Sequence, residues 1–230
     1  MSYVAIILGK PGSGKTCSLR NFEDCAIIQS IKKPLSFKGK RKVAATTNFA
    51  KLRAWLNNDK EHNAIFLDDF GYNITALFVK GRLDKTTKDR DGFAVYSDIA
   101  AEVYNTVTQL LEDGRDDRIV YIAMHEAKND YGDLEPSTVG KFVNEKLCLS
   151  GMVTIMLHSV EENGEYKFIT NGSPFKSPVD MLEQEEPNDL FEIDKKIREF
   201  YDLAPAGKRA LSQKQENAKM EKENEKKEGK

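Results

Sequence analysis

Five short runs of apolar residues recur along the chain, and their length and composition predict buried β-strands. They lie at Tyr3–Leu8, Ala26–Ser30, Ala64–Leu67, Ile119–Met124 and Met152–Leu157. Helical periodicity lies between several of these runs. Strands that alternate with helices favour a mainly parallel sheet, with ligand sites beyond the C-terminal ends of its strands. The pattern therefore predicts an α/β fold with a mainly parallel central sheet and helices on both faces.

Two stretches show the period of an amphipathic helix most clearly. The first is Ser97–Glu112, which Ser97 can cap and Gly114 can end; its inward positions are Ile99, Val103, Val107, Leu110 and Leu111. The second runs from about Asn188 to Leu203, with Asn188 as the cap and Leu190, Ile193, Ile197 and Phe200 facing inward. Between them, Met152–Val160 and Tyr166–Thr170 flank Asn163-Gly164. Because Asn-Gly suits a two-residue turn with positive φ, we expect an antiparallel hairpin at the edge of the sheet.

The composition divides the chain into a globular part and a charged tail. Of the 230 residues, 40% are apolar and the net charge is −2, so any nucleic-acid contact must use a local basic patch. The segment Gly207–Lys230 contains eight Lys or Arg and five Glu but almost no apolar residue. We predict one domain over 1–204 and a disordered or transiently helical tail over 205–230. The tail either only aids solubility or binds a partner.

The number and spacing of the cysteines and the absence of long apolar runs indicate in which cellular compartment the protein is expected. Three cysteines, at positions 17, 25 and 148, are an odd number without metal-ligand spacing, as expected for reduced thiols. The first residues lack a signal-peptide pattern, and no run of 18 apolar residues occurs. These observations predict a soluble cytoplasmic protein with no membrane span.

A complete P-loop follows the first predicted strand and leads into a helix-compatible stretch. It reads Gly9-Lys10-Pro11-Gly12-Ser13-Gly14-Lys15-Thr16 and is followed by Cys17. The glycines let backbone N–H groups surround a phosphate, Lys15 reaches the β and γ phosphates, and the Thr16 hydroxyl holds Mg²⁺. We therefore predict that ATP and Mg²⁺ bind here. The nucleotide-binding residues are Gly9, Pro11, Gly12, Ser13, Gly14, Lys15, Thr16 and Cys17.

The third predicted strand ends in two carboxylates, a Walker B pattern. We assign Asp68 to the Mg²⁺ shell, opposite the Thr16 hydroxyl. We assign Asp69 to the general base that polarises the attacking water. Without the P-loop earlier in the chain, Asp68-Asp69 would be an ordinary strand-end turn.

His125 ends the fourth predicted strand, which should lie beside the Asp68 strand. A polar residue at that position of a P-loop ATPase often senses the γ-phosphate, although a histidine capping a strand end is an equal alternative. The polar loop 126–138, with Lys128 and Tyr131, either couples nucleotide state to a second ligand or is an ordinary connection.

Basic residues concentrate in two further segments. One contains Phe37 and six cations without an acid, namely Lys32, Lys33, Lys38, Lys40, Arg41 and Lys42. Cations with an interleaved aromatic suit single-stranded nucleic acid, whereas a solvated basic loop is the simpler interpretation. The other segment, with Arg82, Lys85, Lys88 and Arg90, is either an interface loop or a flexible connection.

Lys176 lies between Pro174 and Pro178, which stiffen its loop. A cation held in this way could reach a neighbouring subunit's γ-phosphate, as an arginine finger does. A plain exposed lysine between turn prolines is at least as consistent with the sequence.

Together these residues resemble the P-loop ATPases of tailed bacteriophages that belong to the RecA-like recombinase group. The resemblance covers about residues 3–190. It rests on the P-loop running into Ser18-Leu19-Arg20-Asn21, on Lys33-Pro34-Leu35-Ser36-Phe37-Lys38-Gly39, on Ile65-Phe66-Leu67-Asp68-Asp69-Phe70, on His125, and on Lys176-Ser177-Pro178.

The resemblance implies a RecA-like fold and an ATPase that acts on single-stranded DNA in phage recombination or replication, in the host cytoplasm. Nucleotide state would then control DNA binding or oligomer assembly. It also implies Lys15, Thr16 and Asp68 as the ATP and Mg²⁺ residues, His125 as the sensor and Lys176 as the cross-subunit cation. Implied partners are a second copy of the chain, a phage single-strand binding protein, and DNA contacted by Lys38, Lys40, Arg41 and Lys128.

One departure from that pattern leaves alternatives open. RecA-type enzymes place a catalytic glutamate after the second strand, where this chain has Gln29-Ser30-Ile31. Either Asp69 supplies the base, or hydrolysis is slow and ATP acts as an assembly switch. The alternative functions are an AAA+-type replisome ATPase or helicase loader, a small-molecule kinase using Arg115 and Arg118, and a module that binds ATP structurally.

Overall fold

An eight-stranded sheet forms the centre of the computed structural model, which describes residues 2–39, 41–83, 92–112, 115–139, 143–144 and 147–207. The strands are β1 Tyr3–Leu8, β2 Ala26–Gln29, β3 Val43–Ala45, β4 Ala64–Asp68, β5 Ile119–Met124, β6 Glu126–Lys128, β7 Leu134–Pro136, β8 Ile155–Glu162, β9 Glu165–Ile169 and β10 Glu185–Pro187. The helices are α1 Phe49–Asn58, α2 Gly71–Leu83, α3 Gly92–Glu112, α4 Leu149–Met152 and α5 Leu190–Phe200, and a 3₁₀ helix spans Cys17–Asn21.

The strand order in the main sheet is β10-β9-β8-β1-β5-β4-β2-β3. The pairs from β8 through β3 are parallel, whereas β9 pairs antiparallel with both β8 and β10. A separate antiparallel hairpin joins β6 and β7. The predicted α/β class, with a mainly parallel sheet and an antiparallel hairpin at one edge, is confirmed.

Helices cover both faces of the sheet, because alternate residues of each buried strand point to opposite sides. Ile6 and Leu8 of β1 pack in one apolar cluster with side chains of α1, α2, α3 and α4. Ala5 and Ile7 pack in the other with the 3₁₀ helix and α5. No helix within the described ranges is long and apolar enough to cross a bilayer.

The predicted hairpin forms at the expected turn. Asn163 and Gly164 have φ values of 57° and 85°, the left-handed geometry that a two-residue turn between twisted strands requires. The predicted start of its first strand was wrong, because Met152 closes helix α4 and β8 begins only at Ile155. Likewise, Ser30 lies just beyond β2 rather than in it.

Both predicted helices form, but their boundaries and caps differ. Helix α3 begins at Gly92, so Ser97 lies inside it and does not cap it; Gly114 is outside the described residues. The cap of α5 is Asp189, whose carboxylate accepts a hydrogen bond from the Phe191 N–H, and not Asn188. That helix ends at Phe200, whose side chain is 44% exposed instead of facing inward.

Buried charge fixes α5 against the sheet. Arg198 forms an ion pair with Asp194, with Nε and Oδ2 2.5 Å apart, and donates to the backbone carbonyls of Asn63 and Asp117. Residues 205–207 of the predicted tail are described, and the Gly207 N–H donates to Asn63 Oδ1. The rest of the predicted tail, 208–230, lies outside the described residues.

Candidate nucleotide site

The parallel register brings four chain segments to one edge of the sheet. Leu8 pairs with Met124, and Gln29 pairs with Asp68, so strands β1, β5, β2 and β4 end side by side. The P-loop follows β1, His125 follows β5, and Asp69 follows β4. The expectation that the His125 strand lies beside the Asp68 strand is confirmed by the β4–β5 pairing.

The backbone of the P-loop is left-handed at two of its glycines. Gly12 and Gly14 have φ values of 83° and 94°, which residues with a Cβ adopt only at a cost. The Ser13 N–H donates to Lys10 O and the Ser18 N–H to Gly14 O. Within the described residues, the N–H groups of Gly14, Lys15 and Thr16 have no backbone partner. Such successive unpaired N–H groups form a concave surface that suits phosphate.

The helix-compatible stretch after the P-loop forms a 3₁₀ helix and not an α-helix. It spans five residues, Cys17–Asn21. A single turn contributes only a small part of a helix dipole, because the aligned peptide dipoles are few. A phosphate at this loop would therefore gain more from Lys15 and the loop N–H groups than from a helix end.

Lys15 is held by uncharged acceptors inside the loop. Its Nζ donates to Gly9 O at 2.7 Å and to Lys10 O at 2.8 Å. The distance from the same Nζ to Nδ1 of His125 is 3.5 Å. Burial lowers the pKa of Lys15 from 10.5 to about 8, although the carboxylates of Asp69 and Asp68 partly oppose the shift.

The two predicted metal residues are in direct contact. Thr16 Oγ1 donates to Asp68 Oδ1 at 2.8 Å, and Gln29 Nε2 donates to Asp68 Oδ2 at 3.2 Å. Burial and the neighbouring Asp69 carboxylate raise the pKa of Asp68. A hydroxyl and one carboxylate fit Mg²⁺, which takes oxygen ligands and keeps positions for phosphates and water. Among the described residues no cluster of three or more His, Cys, Asp or Glu is arranged to hold a metal ion, so phosphate and water would have to supply the remaining ligands.

The second acid, Asp69, lies between the ammonium group of Lys33 and the imidazole ring of His125. Its Oδ2 forms an ion pair with Lys33 Nζ, and its Oδ1 lies 3.5 Å from His125 Nε2. Asp69 itself has a φ of 57°, an uncommon value for a residue with a Cβ, and Ser30 Oγ donates to its carbonyl at 2.8 Å. His125 thus bridges Lys15 and Asp69, and Tyr72 packs edge-on against it.

The outer wall of the P-loop comes from the C-terminal part of the chain. Ser159 Oγ of β8 donates to Ser13 O at 2.7 Å, and Asn188 Nδ2 contacts Ser159 Oγ at 3.3 Å. A Cβ at Gly9 would lie 2.5 Å from Ser159 O, and one at Gly14 would lie 2.9 Å from the Tyr166 ring. These glycines are needed because neighbouring segments approach the loop so closely.

These elements enclose a cleft of about 1030 Å³. Its wall includes the P-loop, Lys33, Asp69, Tyr72, His125 and Tyr166. The volume is at the upper end of what small-molecule and cofactor sites occupy. Every residue predicted to bind nucleotide, metal or water near the P-loop therefore lies in or beside one cleft, except Lys176.

The predicted residues outside the cleft have other surroundings. Lys176 pairs through its backbone with Met156 of β8 and does not line the cleft. Arg41 donates to Phe22 O and lies over the Phe37 ring, which itself packs on the core. Lys38 and Lys128 are exposed, as are Lys32 and Lys42 of the same basic segment, whereas Lys40, Lys85, Lys88 and Arg90 lie outside the described residues.

The arginines suggested for a kinase are structural. Arg118 is buried and donates to Leu56 O at 3.0 Å and to Asp59 O at 2.5 Å. Arg115 donates to Asp117 and to backbone carbonyls of the same region. Both precede β5, at the end of the strand away from the P-loop, so they cannot form a lid over the cleft.

Sequence reasoning missed several residues of the site. It assigned Lys33 only to a basic run. It mentioned Gln29 only because a glutamate is absent from that region, and it gave Tyr166 no role. Lys33 lies four residues beyond the end of β2, and that spacing was the only signal in the sequence that it could approach the acids.

No protein-family model matches the sequence, and no curated protein matches it either. The function is therefore inferred from the residues of the cleft and from the contacts between them.

Proposed function

We propose that the chain is a Mg²⁺-dependent P-loop ATPase. The observation that carries this proposal is the meeting of Lys15, the Thr16–Asp68 pair, Asp69 and His125 in one cleft. A cation, a metal-binding hydroxyl and carboxylate, and a second acid are the parts that phosphoryl transfer to water needs.

Each part has a distinct task in hydrolysis. The P-loop N–H groups and Lys15 bind the β and γ phosphates and stabilise the charge that develops on them. Mg²⁺, when bound, neutralises phosphate charge, and Thr16 and Asp68 would hold it. Asp69 accepts a proton from the attacking water, while His125 lies between Asp69 and Lys15 and orients both.

The nucleobase is assigned to the Tyr166 side of the cleft. Tyr72 contacts His125 beside the acids, where the γ-phosphate lies in this proposal. Tyr166 instead lies next to Gly14, and half of its surface is exposed. Because the base is at the opposite end of the nucleotide from the γ-phosphate, Tyr166 is the aromatic surface on which it stacks.

The finer proposal is a RecA-like ATPase that acts on single-stranded DNA. The hairpin β6–β7 starts directly after His125, and its tip presents Tyr131 with 92% of its surface exposed. Glu126, the first hairpin residue, is anchored by His158, with Oε2 and Nε2 2.6 Å apart. An exposed aromatic near the exposed Lys128 suits stacking on a DNA base. In an oligomer, Lys176 would face the site of a neighbouring copy.

The test is ATP hydrolysis measured with and without single-stranded DNA, with Lys15→Ala as the blank. We expect DNA to raise the rate about tenfold or more, which corresponds to about 1.4 kcal/mol of activation free energy. Tyr131→Ala should remove most of that rise and leave the DNA-independent rate unchanged. The matched control is Tyr104→Ala, since Tyr104 is a half-exposed tyrosine on α3.

Two results would count against the proposal. Hydrolysis no faster than that of Lys15→Ala would refute the ATPase function. Hydrolysis without any effect of DNA would leave the ATPase and refute its DNA dependence.

A further inference from the structure

The contact between Lys33 and Asp69 is the least expected feature of the cleft. Their side chains differ in exposure: 45% of Lys33 is exposed but only 8% of Asp69. The lysine thus reaches inward from the loop after β2 to a nearly buried carboxylate. Lys33 thus pairs with Asp69, the residue proposed as the catalytic base.

The whole segment from Gln29 to Lys33 is connected to the acid pair. Gln29 Nε2 donates to Asp68 Oδ2, while its Oε1 accepts the Lys33 N–H at 3.2 Å. Ser30 Oγ donates to the Asp69 carbonyl. These hydrogen bonds tie Gln29, Ser30 and the Lys33 backbone to the two acids, and Lys33 adds a half-exposed side chain that contacts Asp69.

In this arrangement the Asp69 carboxylate already has partners. Lys33 forms an ion pair with Oδ2, and His125 Nε2 lies 3.5 Å from Oδ1, so Lys33 competes with a water for Oδ2. The lysine end of the ion pair is half-exposed, so solvent screens part of the attraction. A nearby phosphate with several negative charges attracts the lysine more strongly than the single charge of the Asp69 carboxylate does.

We propose, on the basis of the ATPase function above, that Lys33 is a γ-phosphate-sensing cation that exchanges between two anionic partners. With ADP or no nucleotide it pairs with Asp69. With ATP it moves to the terminal phosphate, which lies near Lys15 in the same cleft. That move adds a cation to the phosphate and opens Asp69 to the attacking water.

The exchange makes binding selective for the triphosphate. ADP has no γ-phosphate, so Lys33 adds nothing to its binding.

The experiment compares Lys33→Ala with Lys32→Ala, which removes an equal charge from the adjacent exposed residue. Calorimetry measures the affinity for ADP and for a non-hydrolysable ATP analogue, and single-turnover assays measure hydrolysis. We expect Lys33→Ala to weaken analogue binding about tenfold to hundredfold, the value of a charge-assisted hydrogen bond, and to leave ADP binding unchanged. Lys33→Arg should retain most of the selectivity, and Lys32→Ala should change neither affinity.

The ADP affinity of Lys33→Ala reports that the variant is folded. The proposal is overturned if both affinities fall equally, if neither changes, or if hydrolysis accelerates while analogue binding is unchanged, because Lys33 would then only block Asp69. Nucleotide binding by the wild type distinguishes failure of this proposal from failure of the ATPase proposal. If the wild type binds neither ADP nor the ATP analogue, the ATPase proposal fails. If binding depends on Lys15 but Lys33→Ala does not change the preference for the analogue over ADP, only the role of Lys33 is refuted.

Discussion

The lowered pKa of Lys15 predicts that ATP binding weakens at mildly alkaline pH. The ammonium is buried and donates to the uncharged carbonyls of Gly9 and Lys10, and burial lowers its pKa to about 8. A bound phosphate favours the charged form and raises that pKa again. Above pH 8 the chain must therefore take up a proton when ATP binds.

The size of the effect follows from the pKa. With a pKa of about 8, the protonated fraction of Lys15 falls from about nine-tenths at pH 7 to about one-tenth at pH 9. If only the charged lysine binds phosphate, the association constant falls about tenfold over that range, which is about 1.4 kcal/mol. An ordinary exposed lysine would cause almost no change below pH 9.

The assay is calorimetric titration with a non-hydrolysable ATP analogue at pH 7, 8 and 9, in two buffers whose ionisation enthalpies differ. Wild type should show proton uptake that is largest between pH 8 and 9. Lys15→Arg is the control, since arginine stays charged, and its ratio of affinities at pH 7 and pH 9 should be close to one. A wild-type affinity that is constant from pH 7 to 9, or equal pH dependence in both proteins, would refute the reasoning.

Three further predictions test other parts of the chain. Thr16→Ala removes the hydroxyl beside Asp68, so the Mg²⁺ concentration needed for half-maximal ATP binding should rise about tenfold or more; binding that is equally Mg²⁺-dependent would contradict the metal assignment. Tyr166→Ala should cost ATP binding about 1–3 kcal/mol and leave inorganic tripolyphosphate binding unchanged, whereas equal losses for both ligands would exclude stacking. Arg198→Ala leaves the buried Asp194 without its cationic partner and should lower the free energy of unfolding by about 3–5 kcal/mol in urea denaturation. Lys195→Ala, on the exposed face of the same helix, should change it by less than about 0.5 kcal/mol.

The parts of the fold that could be predicted from sequence are those with a local signal. The apolar runs predicted β1 and β5 to the residue, because a strand buried on both faces shows its full length as a hydrophobic run. The turn at Asn163-Gly164 was equally local. By contrast, the three-residue strands β3, β6, β7 and β10 contain too few residues to show a period, and they were not predicted.

Helix ends were predicted less well than helix existence. Ser97 and Asn188 are both suitable caps by residue type, but Asp189 is in position to accept the Phe191 N–H and α3 extends to Gly92. Phe200 fits the apolar period of α5, yet Arg198 takes the buried position near the helix end because Asp194 and backbone carbonyls satisfy its charge. Such choices depend on tertiary partners and not on the local pattern.

The site divides in the same way. The P-loop and the strand-end acids are contiguous motifs, so Lys15, Thr16, Asp68 and Asp69 could be located from spacing alone. Contacts such as Lys33 with Asp69, and Tyr166 with Gly14, join residues that are far apart in sequence. Without the strand order no sequence pattern distinguishes these residues from other surface lysines and tyrosines.

The charges of the cleft explain why Asp68 and Asp69 exchange their present partners only when a nucleotide is bound. Asp68 now accepts hydrogen bonds from Thr16 and Gln29, and Asp69 pairs with Lys33, so each carboxylate is satisfied within the protein. Lys15 donates to two backbone carbonyls and has no ion pair with a carboxylate among the described contacts, so a phosphate would be its first anionic partner. Once a phosphate is present, it competes for Lys33 as well, which leaves Asp69 to a water. A ligand that supplies no terminal phosphate satisfies Lys15 but leaves the Lys33–Asp69 pair in place. On this reasoning the base becomes available only when the bond to be broken is in the cleft.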